Sequence, residues 1–249
     1  MQVKKRDGTL EDLNIDKLHK VVMYACEGIT GVSASEVEIN SKIQFFDKIV
    51  TEDIQETLIK SAADLISEET PNYQYVGGRL INYHLRKEVY GTFEPPCLCD
   101  IIQDNIDAGF YDAEFTKLYT KEEINELNDF IRHDRDEVLT YAAMEQFRGK
   151  YLVQNRSTGE IFETPQVAYM MIAATLFAKY PAETRLQYVK AYYDAISTFK
   201  ISLPTPVMAG VRTPQRQFSS CVLIETGDSL DSINATTSAV VKYVSQKAG

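Results

Sequence analysis

Two consecutive prolines, Pro95-Pro96, constrain this chain more than any other pair of residues. Each ring removes a backbone donor and clashes with the preceding helical turn, so no helix can run through them. Phe93-Glu94-Pro95-Pro96 is therefore read as a boundary between separately folded stretches. The chain has 249 residues, and at roughly 100 to 200 residues per domain at least two domains are expected.

On the N-terminal side, Val3 to Arg6 and Thr9 to Asn14 read as two short strands joined by Asp7-Gly8, a dipeptide that accepts the positive φ of a tight hairpin turn. Asp16 is placed to cap a helix whose apolar positions Leu18, Val21, Val22 and Ala25 recur at helical spacing up to Gly28. A second helix is predicted from about Ser35 to Phe46. Thr51 begins a third, with Asp53 in the first turn, where a carboxylate suits the helix dipole, and with Ile54, Leu58, Ala62, Leu65 and Ile66 on one face. Pro71 opens a fourth, which runs towards Tyr90-Gly91. Residues 1–92 thus read as a β-hairpin capping a bundle of four amphipathic helices.

Residues 93–200 read as a mainly helical domain, with helices over roughly 97–108, 120–131, 134–148, 165–179 and 181–198. Tyr151-Leu152-Val153 and Ile161-Phe162 flank the polar turn Asn155 to Gly159 and predict a small hairpin. Residues 201–249 change character. Lys200 to Pro206 reads as a strand running into a rigid turn, Gln217 to Ile224 as another strand, and Asp228 or Ser229 as the cap of a last helix extending to Lys247. Two strands and one helix cannot close a sheet or barrel by themselves, and open strand edges call for another piece of protein. The fold class is α+β, mainly helical.

Lys and Arg total 26 against 36 Asp and Glu, a formal charge of −10. Non-specific nucleic-acid binding draws on clustered cations that release counterions, so no nucleic-acid partner is expected. No window approaches the run of about 18 apolar residues that a membrane span needs, and Met1 to Asp7 has no apolar signal core behind its charge. The expectation is a cytoplasmic protein with no membrane partner. Cys26, Cys97, Cys99 and Cys221 are too few and too scattered for a disulfide scaffold and are expected to be reduced thiols at rest. Cys97 and Cys99 are one residue apart, but a zinc site needs two more soft ligands, and His19, His84 and His133 each sit in a helical pattern. No metal is expected.

Two places suit a phosphate-bearing ligand. Lys4-Lys5-Arg6-Asp7-Gly8 and Lys17 gather four cations beside a glycine turn, while Thr51 offers a hydroxyl at a helix N-terminus. The alternative is a solvated basic face, because Lys and Arg are common on surfaces. The second place is Gly227-Asp228-Ser229-Leu230, where a strand meets a helix and orphan backbone donors point outward; every strand-to-helix turn shares that pattern. A third candidate is Cys221, which as a cysteine inside an apolar strand is by default a small buried hydrophobe.

In order along the chain, Lys5-Arg6-Asp7-Gly8, Pro71-Asn72-Tyr73-Gln74-Tyr75, Ser202-Leu203-Pro204-Thr205-Pro206, Arg216-Gln217-Phe218-Ser219-Ser220-Cys221 and Asp228-Ser229-Leu230 closely resemble the N-terminal part of the large (alpha) subunit of class I ribonucleoside-diphosphate reductase, of the aerobic bacterial and T4-like phage type. The resemblance runs from end to end, and five motifs in order weigh far more than any one. It implies that residues 1–92 are an ATP-cone, an allosteric nucleotide-binding module, and that residues from 201 onward begin a ten-stranded α/β barrel left incomplete by the chain end.

That family reduces the 2′-hydroxyl of ribonucleoside diphosphates by radical chemistry started in a separate small (beta) subunit, with two cysteines forming a disulfide that thioredoxin or glutaredoxin reduces. The resemblance makes Cys221 one of that pair. It places Thr205 and Ser220 at the substrate diphosphate and its surroundings, and Asp228, Ser229 and Leu230 at the start of the site where a deoxynucleoside triphosphate acts as specificity effector. Lys5, Glu11, Asp12, Leu13, Asn14, Ile15, Asp16, Lys17, Thr51 and Lys87 fall on positions that bind ATP or dATP. Lys5 and Lys87 would answer phosphate charge, and Glu11 to Lys17 would hold base and ribose.

Gln55 stands where many bacterial relatives carry a histidine, which separates dATP binding from dATP inhibition. The sequence stops at Ser245-Gln246-Lys247-Ala248-Gly249, before the family's radical cysteine, the partner of Cys221, the rest of the barrel and the C-terminal thiol tail. The leading expectation is the N-terminal piece of a split large subunit, inactive alone, which docks with a second chain carrying the remainder and joins an alpha-subunit dimer. The alternatives are a non-catalytic ATP/dATP-sensing protein and an inactive truncated remnant.

Overall fold

The computed structural model describes residues 1–5, 8–42, 45–215, 217–219 and 221–245. Along the chain β1 (Gln2–Lys4), β2 (Leu10–Asp12), α1 (Ile15–Cys26), α2 (Ala34–Lys42), β3 (Ile49–Val50), α3 (Thr51–Asp64) and α4 (Tyr73–Tyr90) precede α5 (Leu98–Asp107), α6 (Phe115–Leu118) and α7 (Lys121–Phe130). A 3₁₀ segment (His133–Val138), α8 (Tyr141–Gln146) and a π turn (Phe147–Tyr151) follow, then α9 (Pro165–Phe177), α10 (Ala182–Ser197), α11 (Thr205–Gly210) and α12 (Leu230–Ser245). No described helix is long and apolar enough to cross a membrane. The chain divides into two compact units, one made of 1–95 with 134–149 and the other of 96–133 with 150–249.

In the first unit β1 is the centre of a three-stranded sheet. It pairs antiparallel with β2, Val3 opposite Glu11, and parallel with β3, Val3 opposite Ile49. The expected hairpin is present with shorter strands. Gly8 takes φ +84°, and Lys5 N–H donates to the Thr9 carbonyl at 2.8 Å; Arg6 and Asp7 of the turn lie outside the described residues. The third strand has no counterpart in the sequence reading, because an apolar pair, Ile49-Val50, shows no period. The second helix is described as far as Lys42, residues 43–44 lie outside the described residues, and Phe45 and Phe46, up to which a helix is expected, belong to no helix. Gln2 N–H donates to Asp47 Oδ1 and Lys48 N–H to the Gln2 carbonyl, both at 2.8 Å, so the chain is drawn back to the sheet edge.

Asn14, not Asp16, caps α1: its Oδ1 accepts from Lys17 N–H at 3.0 Å, and Asp16 sits in the first turn. Gly91, at φ +71°, ends α4. The buried face of α4 includes Tyr73, Val76, Leu80, Ile81 and Leu85. At Gly78 an added Cβ would lie 2.0 Å from the Leu139 carbonyl oxygen, so only glycine lets residues 139–140 pass this close to α4. Arg79 Nε donates to the Glu137 carbonyl at 3.2 Å, Tyr24 hydroxyl to Glu137 Oε1 at 3.2 Å, and Arg86 pairs with the fully buried Asp136 at 3.7 Å. The single helix expected over 134–148 within a contiguous 93–200 domain is instead a 3₁₀ segment and α8, and it packs into the N-terminal unit.

The second unit is built around α9, in which every residue from Pro165 to Ala174 is buried. Pro165 stands at the first turn, where its missing donor costs nothing. Arg212 is enclosed beside this helix. Its guanidinium pairs with Glu163, and Nη1 donates to the Met208 carbonyl at 2.6 Å and Nη2 to the Tyr151 carbonyl at 3.1 Å. Glu163 also accepts from Tyr111 hydroxyl and from Val153 N–H at 2.7 Å. α7 opens with a reciprocal capping box between Thr120 and Glu123. The small hairpin expected around 155–159 shrinks to one antiparallel bridge, Gln154 to Ile161.

Past Lys200 the two expected strands do not form among the described residues. Thr205–Gly210 is helical, with Pro206 near its start where no donor is needed. Residues 217–219 and 221–227 belong to no helix or strand. A strand exists only through hydrogen bonds to a neighbour, and none is supplied here. The expected start of a barrel is therefore absent from 201–245 as described. Ser229 rather than Asp228 caps α12, its Oγ accepting from Ser232 N–H at 3.2 Å, and α12 buries none of its residues.

Candidate functional site

The hairpin and helices of the first unit enclose a cavity of about 670 Å³, within the range of roughly 300 to 1,000 Å³ typical of small-molecule sites. Helical and strand periods decide which side chains reach it. On α1, Lys17, Val21 and Tyr24 lie one and two turns apart on one stripe, with Leu18 and Lys20 beside them. On α3, Thr51 and Gln55 are four residues apart, as are Tyr83 and Lys87 on α4, with Ile54 and His84 adjacent. Val3 comes from β1 and Lys5 from just beyond it; Glu11 comes from β2, and Leu13 and Asn14 lead into α1.

Among the described residues, four lysines, Lys5, Lys17, Lys20 and Lys87, line this cavity against one carboxylate, Glu11. The local sign is thus opposite to that of the chain. Glu11 Oε1 lies 3.0 Å from Lys5 Nζ and 3.5 Å from Lys17 Nζ. The hydrogen bond from Lys5, with Lys17 assisting, holds the Glu11 carboxyl below its ordinary value. Lys87 Nζ stands 4.5 Å from the Tyr83 ring centroid. Burial, and then Glu137, push the Tyr24 hydroxyl up to about 12, so it remains a neutral donor at physiological pH. Gln55 Oε1 is buried at the wall without a hydrogen-bond partner. Mobile ammonium groups suit phosphate oxygens, while Val3, Leu13, Leu18, Val21 and Ile54 offer apolar wall to a planar base.

Of the cone residues named from sequence, Lys5, Glu11, Leu13, Asn14, Lys17, Thr51 and Lys87 line this one cavity. Asp12, Ile15 and Asp16 are exposed and absent from its lining. Strand alternation sends Asp12 to the face opposite Glu11 and Leu13, and the first turn of α1 turns Ile15 and Asp16 away. Lys20, Tyr24, Tyr83 and His84 line it without having been singled out for this site; the legible signal was their spacing of three to seven residues from Lys17 and Lys87. His84 Nε2 lies 3.5 Å from Glu56 Oε1 and 4.0 Å from Glu88 Oε2.

The candidates of the second unit are dispersed. Thr205 opens α11 and is half-buried, and Asp228-Ser229-Leu230 lead into α12 with Leu230 79% exposed. Cys221 is exposed, contrary to the default of a buried strand cysteine, because the stretch that holds it has no partner strand. Ser220 and Arg216 lie outside the described residues.

Comparison with known proteins adds two family matches: the ATP cone domain over residues 1–88, and the ribonucleotide reductase, all-alpha domain over residues 137–216. The chain is 61% identical over 247 residues to ribonucleoside-diphosphate reductase 1 subunit alpha of Escherichia coli (strain K12), covering 99% of this chain and 32% of that protein. It is 46% identical over 249 residues to the ribonucleoside-diphosphate reductase subunit alpha of Enterobacteria phage T4, covering 100% of this chain and 33% of that protein. Against the subunit alpha of Helicobacter pylori (strain ATCC 700392 / 26695) identity is 33% over 231 residues, or 93% and 29% of the two chains. The chain spans about a third of the length of these curated relatives.

Proposed function

Because the chain belongs to the ribonucleoside-diphosphate reductase alpha-subunit family, of which it is an N-terminal part carrying an ATP-cone and the all-alpha domain, we propose that its cavity is an allosteric site for ATP or dATP. The observation that carries this reading is the convergence of Lys5, Lys17, Lys20 and Lys87, from the hairpin, α1 and α4, on one apolar-walled cavity. In it Lys5 and Lys87 take the phosphates, Thr51 donates to a phosphate oxygen from the N-terminus of α3, and Glu11, Leu13, Asn14 and Lys17 hold ribose and base. Asp12, Ile15 and Asp16 shape that stretch from outside the cavity. With Gln55 in the wall, binding and inhibition are separate properties, since a nucleotide alters activity only if two states bind it differently.

The proposal extends to the whole subunit. Residues 1–92 serve as the regulatory domain, with 134–149 in the same compact unit, the rest of 93–200 as the helical domain and 201–249 as the entry to the barrel. The remainder of the subunit supplies the partner strands that this stretch lacks, and reduction of ribonucleoside diphosphates requires it. Cys221 then contributes one thiol of the pair that is oxidised to a disulfide as substrate is reduced, and thioredoxin or glutaredoxin restores it. Thr205 and Ser220 contact substrate, and Asp228, Ser229 and Leu230 begin a site for a deoxynucleoside triphosphate as specificity effector. The small radical-generating subunit and a second alpha subunit are the remaining partners, in the cytoplasm. The exposed apolar side chains of α12, among them Val241 at 65% and Val244 at 63%, support completion by further protein.

Calorimetric titration of the chain with ATP and with dATP tests the cone. Saturable binding that Lys87→Ala weakens is expected; no binding at millimolar nucleotide would remove the site. Completion by a second chain is tested by native purification with mass spectrometry and a dithiol-dependent reductase assay. Co-purification of a chain carrying the radical cysteine, with activity, is the expected result. One longer polypeptide that begins with this sequence replaces the split reading with a continuous subunit, and a lone inactive chain that binds nucleotide favours a sensing module. In the completed enzyme Cys221→Ser should abolish multiple turnover and spare nucleotide binding, since serine forms no disulfide; retained turnover would take Cys221 out of the redox pair.

A further inference from the structure

Cys97 and Cys99 stand at the start of α5, Cys97 as its N-cap and Cys99 in its first turn, both half-buried. Their Sγ atoms are 2.9 Å apart. α7 steadies this end of α5, because Leu98 N–H donates to Asn128 Oδ1 at 2.9 Å. The Cys99 thiol also faces Asp100 Oδ1 at 3.6 Å, and the Cys97 thiol faces Asn125 Oδ1 at 4.0 Å. Cys97, Cys99 and Asp100 form a group whose ligand atoms all lie within 4.8 Å of one another.

Two chemistries could use such a pair, and distance separates them. Thiolates sharing a tetrahedral zinc at about 2.3 Å each would stand about 3.8 Å apart, which is wider than the 2.9 Å observed. A disulfide needs about 2.04 Å, and residues two apart at a helix start have Cα atoms roughly 5 to 6 Å from one another, inside the range that a disulfide tolerates.

We propose that Cys97 and Cys99 are a dithiol modification site that closes reversibly to an intramolecular disulfide by exchange with a small, uncharged disulfide. One of the two thiols, as its thiolate, attacks one sulfur of the reagent, the reagent's S–S bond breaks, and the first small thiol leaves. The other thiol then loses its proton and attacks the cysteine Sγ of the mixed disulfide 2.9 Å away, releasing the second small thiol. The two cysteines lose two electrons and two protons, and the reagent gains both as two thiols. The Cys99 thiol is pushed up to about 11, first by its hydrogen bond with Cys97 and then by burial, so the exchange should run faster as pH rises. Asp100 beside the pair disfavours anionic disulfides. Cys26, pushed up to about 11 by burial, and the solitary exposed Cys221 lack this arrangement. The assignment is independent of the nucleotide site.

The test incubates the full chain with 2-hydroxyethyl disulfide, quenches in acid, alkylates and reads peptide masses. The peptide holding Cys97 and Cys99 should lose two hydrogens and take no alkyl group, and dithiothreitol should restore both alkylation sites. Cys221 should stop at the mixed disulfide, as should each of Cys97→Ser and Cys99→Ser at its remaining thiol. Two alkylated thiols, or two mixed disulfides on the same peptide, would overturn the proposal. So would one-to-one binding of Zn(II) alone that blocks alkylation of both thiols under reducing conditions, because the site would then be a metal site. If the serine variants fail to fold, the oxidised and reduced forms of the unaltered chain decide the outcome.

Discussion

The cavity of the first unit and the Arg212 cluster of the second use the same kinds of residue to opposite ends. Around the cavity, Lys5, Lys17, Lys20 and Lys87 keep their ammonium groups at an open space with one carboxylate among them. In the cluster, Arg212 and Glu163 are fully buried, and their remaining lone pairs and donors meet Tyr111, Val153 and two backbone carbonyls. Burying charge costs several kcal/mol per ion unless every group is answered. A closed cluster is therefore structural, and an excess of one sign around a cavity is an attraction waiting for a ligand.

The largest effect should come from breaking the closed side. Arg212→Ala leaves Glu163 buried with its charge uncompensated and should cost about 3–5 kcal/mol, read in chemical denaturation, with ATP affinity unchanged. A loss below about 1 kcal/mol would mean that the cluster is no stronger than a surface pair. On the open side, Lys87→Ala and Lys5→Ala should weaken ATP binding roughly ten- to a hundredfold, as expected for a charge-assisted hydrogen bond, while stability changes by less than about 0.5 kcal/mol. Unchanged affinity in direct titration would argue against the phosphate contacts.

Glu123 sharpens the contrast through pH. Its carboxyl is held below the ordinary value, first by the hydrogen bond from Arg185, a side chain only 9% exposed. The stabilisation is therefore complete above the unfolded-state value and lost as pH falls through the folded one. Glu123→Gln should cost about 1–2 kcal/mol at neutral pH, and denaturation curves of the two proteins should converge on acidification; a pH-independent gap would assign the loss to packing. The smallest effect separates capping from binding. Thr120→Ala should cost about 1 kcal/mol and Asn14→Ala about the same, but only Asn14→Ala should also weaken ATP binding, because Asn14 lines the cavity.

Much of this was legible in local pattern. The apolar stripe of α1, the first turn of α3, Pro71 ahead of α4 and Gly91 after it placed three helices close to where they lie. The Asp7-Gly8 turn announced the hairpin, and seven of the residues read as effector contacts share one cavity. Local pattern misled where two conformations are nearly equal by propensity. Asn14 and Asp16 are both good caps, and only the observed backbone chose between them. Thr205-Pro206 satisfies the start of a helix as readily as the end of a strand, and without a neighbouring strand the helix forms.

By itself the sequence determined roughly where α1, α3 and α4 lie, that charge gathers at the N-terminal hairpin, and which family the chain resembles, because each rests on neighbours along the chain. Only the tertiary structure decided that β3 pairs with β1, that residues 134–149 close the N-terminal unit across Gly78, and that Cys97 and Cys99 touch. Whether a cation is enclosed, as Arg212 is, or left at an open cavity, as Lys87 is, depends on groups far away in the chain, and no local spacing encodes them.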